Sequence, residues 1–200
     1  MKRASLLLTL VALAASAGCA SVPTPRYYQL RAGGDVAAAA AARKDSGPSL
    51  GVREFTVDPP YDQERIVYRV GSEVAEVGFY AYHRWAAPLS RMLPAVVAGA
   101  LADTPGLGRI EPARPGSGYD AILEGRLLAL EEVDAEGVPS VHVSLVLRLE
   151  DAEGAELWSG PVAASSTLNT DDVADLVGEI NRLLVEQLRS SSSELVRALR

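Results

Sequence analysis

Between residues 119 and 163 apolar and polar positions alternate, and the same four residues interrupt the pattern twice: Asp134-Ala135-Glu136-Gly137 and Asp151-Ala152-Glu153-Gly154. Val141, Val143, Leu145, Leu147 and Leu149 fall on one side, and His142, Ser144 and Arg148 on the other, with Val146 the apolar exception. A period of two is that of a strand with one buried face. A turn that ends in glycine suits a tight hairpin, because glycine takes the left-handed backbone conformation without a steric cost. The segment predicts a three-stranded meander.

Elsewhere the period lengthens. Leu89, Met92, Leu93, Val96, Val97, Ala100 and Leu101 recur at helical spacing within residues 88–103, with Pro94 expected to kink or restart the helix. Val173, Val177, Ile180, Leu184 and Leu188 form the stripe of a second helix over residues 171–200. Its acids Asp171, Asp172 and Asp175 stand first and Arg189, Arg197 and Arg200 last, as the helix dipole favours. Thr170 is the expected N-cap, and the serines at 190–193 predict fraying. Residues 27–31, 50–57, 66–70, 74–82 and 109–111 read as further strands, with Asp58-Pro59-Pro60-Tyr61-Asp62 stopping the second and Gly71-Ser72 turning between the third and fourth. Residues 32–49 carry Gly33-Gly34, six alanines in a row and Gly47-Pro48 with no amphipathic face, and read as a mobile loop. The expected fold is α+β, a mainly antiparallel sheet with two principal helices packed on one face.

The first residues read as an address. Lys2 and Arg3 precede an apolar run of residues 6–17, shorter than the ~20 residues of a membrane-spanning helix. The run ends in Ser16-Ala17-Gly18-Cys19, which resembles the lipobox of bacterial lipoproteins, with Ser16 where such boxes usually carry Leu. Cleavage before Cys19 would remove residues 1–18 as a signal peptide and leave a thiol to take acyl chains such as palmitate. Residues 19–26, with Pro23 and Pro25, would be the lipidated tether and residues 27–200 a single domain. Ala20 and Ser21 follow, with no Asp where the inner-membrane retention signal has one, so the expected place is the outer membrane, facing the periplasm.

Composition narrows the function classes. With 48% hydrophobic residues in 200, the chain has material for a core, and its single cysteine excludes a disulfide framework and a cysteine zinc site. Net charge is −7, and loss of Lys2 and Arg3 makes it more negative, which disfavours nucleic acid as a partner. There is no Gly-x-Ser-x-Gly elbow, phosphate loop or His-Glu-x-x-His, and His83 and His142 are the only histidines. The acidic turns offer two or three oxygens each, where calcium takes six to eight. The expectation is a protein that is not an enzyme, with no metal and no cofactor.

Two stretches carry a family resemblance. One runs from Leu50-Gly51-Val52 through Phe55, Val57 and Pro59-Pro60-Tyr61 to Arg65-Ile66-Val67-Tyr68-Arg69; the other is Tyr80-Ala81-Tyr82-His83-Arg84-Trp85-Ala86 before Pro88-Leu89. With the lipobox and Tyr27-Tyr28-Gln29-Leu30, the chain resembles the ABC-type transport auxiliary lipoproteins. The resemblance implies an outer-membrane partner of an ABC transporter and an MCE-domain protein that move lipid across the periplasm and serve membrane integrity. Capping a symmetric MCE ring would favour a homo-oligomer. The alternatives are a lipid carrier with an acyl chain between sheet and helix, and a structural lipoprotein for envelope assembly. Tyr80, Tyr82 and Arg84 on one side of a strand, with Trp85 and the Pro59-Pro60-Tyr61 turn, are the candidate partner interface, since large aromatics and arginine suit interfaces; Trp85 also suits a core plug.

Overall fold

A computed structural model describes residues 23–32, 47–71, 76–135 and 137–200. Among them the chain forms, in order, β1 (Arg26–Tyr28), β2 (Leu50–Val52), β3 (Thr56–Val57), β4 (Arg65–Val70), β5 (Glu76–Trp85), α1 (Leu89–Leu101), β6 (Ile110–Pro112), β7 (Ala121–Ala135), β8 (Val138–Asp151), β9 (Glu156–Thr167) and α2 (Val173–Ala198). The expected signal peptide, Cys19, most of the tether, residues 33–46 of the expected loop, Ser72 and Glu136 lie outside the described residues.

The meander forms as the alternation requires. β7 pairs antiparallel with β8 and β8 with β9, and Gly137 and Gly154 take φ of 80° and 88° in the two turns. Val141, Val143, Leu145, Leu147 and Leu149 are fully buried. The opposite edge of β7 is covered in relay: β2 runs parallel to residues 121–123, β3 to 126–127 and β4 to 131–134. The strand expected over residues 50–57 is thus two short strands. β6 adds to β2, while β5 and then β1 extend the sheet beyond β4. The sheet is mixed, but its three antiparallel ladders are much longer than its parallel ones except for β4–β5, which is comparable in length to them.

Both helices pack on the buried face. Leu93, Val96, Val97 and Leu101 of α1 and Ile180, Leu184 and Leu188 of α2 are at most 1% exposed. Pro94 does not break α1, which runs through it. A proline at 94 leaves the Ser90 carbonyl without its helical donor, and the Phe55 N–H donates to that oxygen at 3.1 Å. The helix is thereby tied to the link between β2 and β3.

At α2 the cap is Asp172, whose carboxylate accepts from the Ala174 N–H at 2.8 Å; Thr170 stands two residues back and its hydroxyl oxygen accepts from the Asp172 N–H. The serine run does not fray. Ser190 and Ser191 donate their hydroxyls to the Gln187 carbonyl and Ser192 to that of Arg189, and the fully buried Leu195 fixes the last turns.

Phe55 generates a prediction. Its ring lies so close over Gly125 of β7 that a Cβ there would collide with it. Gly125→Ala should cost about 1–3 kcal/mol through overpacking, read as a lower urea midpoint. An unchanged midpoint would show that the ring is free to move aside.

Candidate docking surface

The relay along β7 contains one excursion. Val57 sits beside Leu127 and Val67 beside Glu131, so ten steps of chain span four of the partner strand. The surplus, residues 58–64, is pushed out as a loop with a cis Pro59–Pro60 bond. It is pinned at both ends. Asp58 accepts from Arg126 Nε at 2.7 Å and Nη2 at 2.9 Å, and those hydrogen bonds hold its carboxyl below the usual range. At the other end the Trp85 N–H donates to the Glu64 carbonyl at 2.6 Å.

Tyr61 turns inward from this loop. It is 3% exposed, and its hydroxyl donates to Oε2 of Glu131 at 2.8 Å. Glu131 is itself 1% exposed on a sheet face that elsewhere meets solvent, and Arg69 Nη2 lies 2.9 Å from its Oε1. His142, its cross-strand neighbour on β8, has Nδ1 3.7 Å from Oε1, too far for a strong hydrogen bond. Burial alone would raise the Glu131 carboxyl, but His142, Tyr61 and Arg69 together outweigh it and hold it below its ordinary value. Burial, then the adjacent carboxylate, pushes the Tyr61 hydroxyl up to about 12. A buried charge paired this way clamps the loop to the sheet.

Of these, Arg69 stands in the sequence only as part of the resemblance stretch and His142 only as a polar-face residue, and nothing there singles out Glu131. The available signal was Leu127-Leu128-Ala129-Leu130, where apolar residues run together and break the alternation. Leu128 is the extra residue of a bulge there. Past it the odd residues of β7, Glu131 among them, change face.

The residues expected to form an interface divide. Tyr61 and Trp85, 3% and 2% exposed, belong to the core and cannot touch a partner, which corrects their assignment. Trp85 ends β5, four residues ahead of α1, and it pairs with Tyr28 of β1. Tyr80, Tyr82 and Arg84 do not share a face, because the β4–β5 register slips between Arg65 and Val67. Tyr80 is half-buried, donates to a Glu132 carboxylate oxygen and meets the rings of Tyr68 and His83 edge-on at 5.2 and 5.6 Å. Burial and then Glu132 push its hydroxyl well up. Arg84 lies beside Tyr27 of β1 and pairs with Glu64 at 3.4 Å. Pro59 and Tyr82 are exposed and Pro60 half-buried. Cys19 lies outside the described residues.

Among the described residues no three His, Cys, Asp or Glu side chains converge as metal ligands would, and no helix is long and apolar enough to cross a membrane. What these residues provide is a loop pinned at both ends, an exposed Pro59 and a corner rich in tyrosine.

Comparison with known proteins agrees with the motif resemblance. The family model described as "ABC-type transport auxiliary lipoprotein component" matches residues 28–191. This chain belongs to that family of lipoproteins. The fold is similar to the crystal structure of protein XCC0632 from Xanthomonas campestris, with a TM-score of 0.65 at 18% identity over 90% of this chain and 96% of that one. A second crystal structure, of an uncharacterised protein, gives 0.62 at 19% identity over 89% and 100% of the two chains. A hypothetical protein from Chlamydia trachomatis gives 0.52 at 9% identity over 76% and 98%. At these identities the likeness speaks for the fold. No curated protein sequence matches this one.

The Glu131 clamp generates a pH prediction. A carboxyl depressed in the folded chain contributes stability above its unfolded value near 4.5, and that contribution is lost as pH falls through the folded value. Arg69→Met should leave the buried charge short of its partner and cost about 3 kcal/mol at pH 7. The deficit should shrink toward pH 3, where a protonated Glu131 needs no counter-charge. Urea unfolding at both pH values tests this, and a deficit independent of pH would contradict the clamp.

Proposed function

We propose that this protein is a non-enzymatic outer-membrane lipoprotein that docks a periplasmic MCE assembly and so serves ABC-driven lipid transport. The observation that carries the reading is the family match over residues 28–191, joined to a single cysteine in a lipobox-like Ser16-Ala17-Gly18-Cys19. In this reading Cys19 takes the acyl chains, which hold stably because each buried CH₂ contributes about 0.8 kcal/mol and several chains act together. The partner meets Pro59 and Pro60, on a loop fastened at Asp58, Tyr61 and Glu64, so little ordering cost remains at docking. The stability of the surface comes from the buried clamp, and its recognition from what the loop presents.

Two outcomes are expected. Cells fed labelled palmitate should label the wild-type protein, and Cys19→Ala should abolish the label; a labelled variant would sink the lipid anchor at this residue. Capture from detergent-solubilised membranes should recover an MCE-domain protein. Recovery of an outer-membrane β-barrel in its place would favour the envelope-assembly alternative.

A further inference from the structure

We infer that the sheet corner made by β1 and the C-terminal half of β5 lies on an anionic lipid bilayer, as a second contact beside the acyl anchor. The inference rests on acylation of Cys19 as proposed above.

Chain length comes first. Four steps separate Cys19 from Pro23, and an extended chain advances at most ~3.6 Å per residue, so Pro23 stays within about 14 Å of the acylated residue. The described chain therefore begins at the membrane. What it presents there is suited to that place. Pro23, Thr24, Pro25 and Arg26 form a cleft of about 530 Å³ with Tyr82 and His83. Tyr27 is 61% exposed and Tyr82 40%, the two tyrosines among the exposed large hydrophobic side chains. Tyrosine sits well at a bilayer surface, with its ring among the acyl ends and its hydroxyl among the headgroups.

Charge points the same way. The chain carries −7 overall, yet no Asp or Glu occurs before Asp35, and Arg26 and Arg31 fall in that stretch. Arg26 is exposed, and no ion pair involves it among the described residues. Residues 83–85 of β5, which face β1, also lack a carboxylate. The acids that approach are already engaged, Glu132 by the Tyr80 hydroxyl and Glu64 by Arg84. An arginine outside any such pair matches anionic headgroups. β1 pairs only with β5 among the described residues, so this edge of the sheet is open to approach. The 58–64 loop meets the same end of β5, where Glu64 takes the Trp85 N–H and pairs with Arg84, so its exposed Pro59 stands beside this corner.

Because Cys19 is the sole cysteine and is acylated in this reading, an introduced cysteine can carry a single environment-sensitive fluorophore. Ala81→Cys, beside Tyr82, and Glu153→Cys, on the β8–β9 turn, are both exposed positions. The acylated full-length mature protein is placed on phosphatidylethanolamine–phosphatidylglycerol vesicles. The Ala81 reporter should shift to the blue and lose access to an aqueous quencher, while the Glu153 reporter stays as in water. Tyr27→Ser with Tyr82→Ser should abolish the shift without releasing the protein. Loss of the shift on vesicles of neutral lipid alone would support the arginine's part, whereas an equal shift there would overturn it. A protein retained on vesicles in high salt with a water-like Ala81 reporter overturns the corner contact and leaves the anchor standing. Release in high salt overturns the anchor, and this inference with it. Shielding of Ala81 only when a partner protein is added would make the corner a protein interface and also overturn it.

Discussion

Every backbone donor and acceptor along both edges of a 15-residue strand must find a partner, and β7 imposes that requirement on the rest of the fold. One edge is met by a single antiparallel neighbour, β8. The other is met by three short parallel segments in succession, and each gap between them has to be absorbed as loop. The first gap carries Phe55, whose N–H takes the carbonyl that Pro94 frees in α1. The second is the 58–64 excursion, which turns Tyr61 down onto Glu131. Sheet, helix and exposed loop are thus settled by one strand's hydrogen-bonding demand.

That arrangement explains a division of labour across the sheet. The face bearing Val141 to Leu149 is covered by two helices, and its apolar side chains are buried. The other face is mostly polar, and where the 58–64 loop covers it a buried carboxylate lies beneath. A buried ion pair of this kind is weak evidence for added stability, since desolvation offsets much of the attraction. It does oppose alternative loop positions, because lifting Tyr61 would strip Glu131 of a donor. The protein's chemistry is spent on holding shape.

Much of this was legible in the sequence where the interactions are local. The period-two runs, the twice-repeated Asp-Ala-Glu-Gly turn and the helical stripes gave the meander and both helices, because each is decided by residues a few positions apart. The misreadings share a cause in distant partners. Pro94 was expected to kink or restart α1; the helix does not restart, and Phe55, far away in sequence, takes the freed carbonyl. Ser190 to Ser192 were expected to fray α2, but their hydroxyls turn back on the helix while Leu195 packs below. The split of residues 50–57, the burial of Tyr61 and the slip that separates Tyr80 from Arg84 all follow from sheet register, which single-residue alternation cannot report. The aromatic run of β5 was recognised as special; its division between core and surface was not.

The account's central claim is that the protein works by place and shape: an anchor at Cys19 and a rigid loop offered to a partner. The most direct measurement is photo-crosslinking in intact cells from a reactive residue installed at Pro59. An adduct with an MCE-domain protein, formed by the acylated chain and lost with Cys19→Ala, is the predicted result. An adduct with a β-barrel alone, or an MCE adduct formed equally well by the unacylated variant, would contradict it.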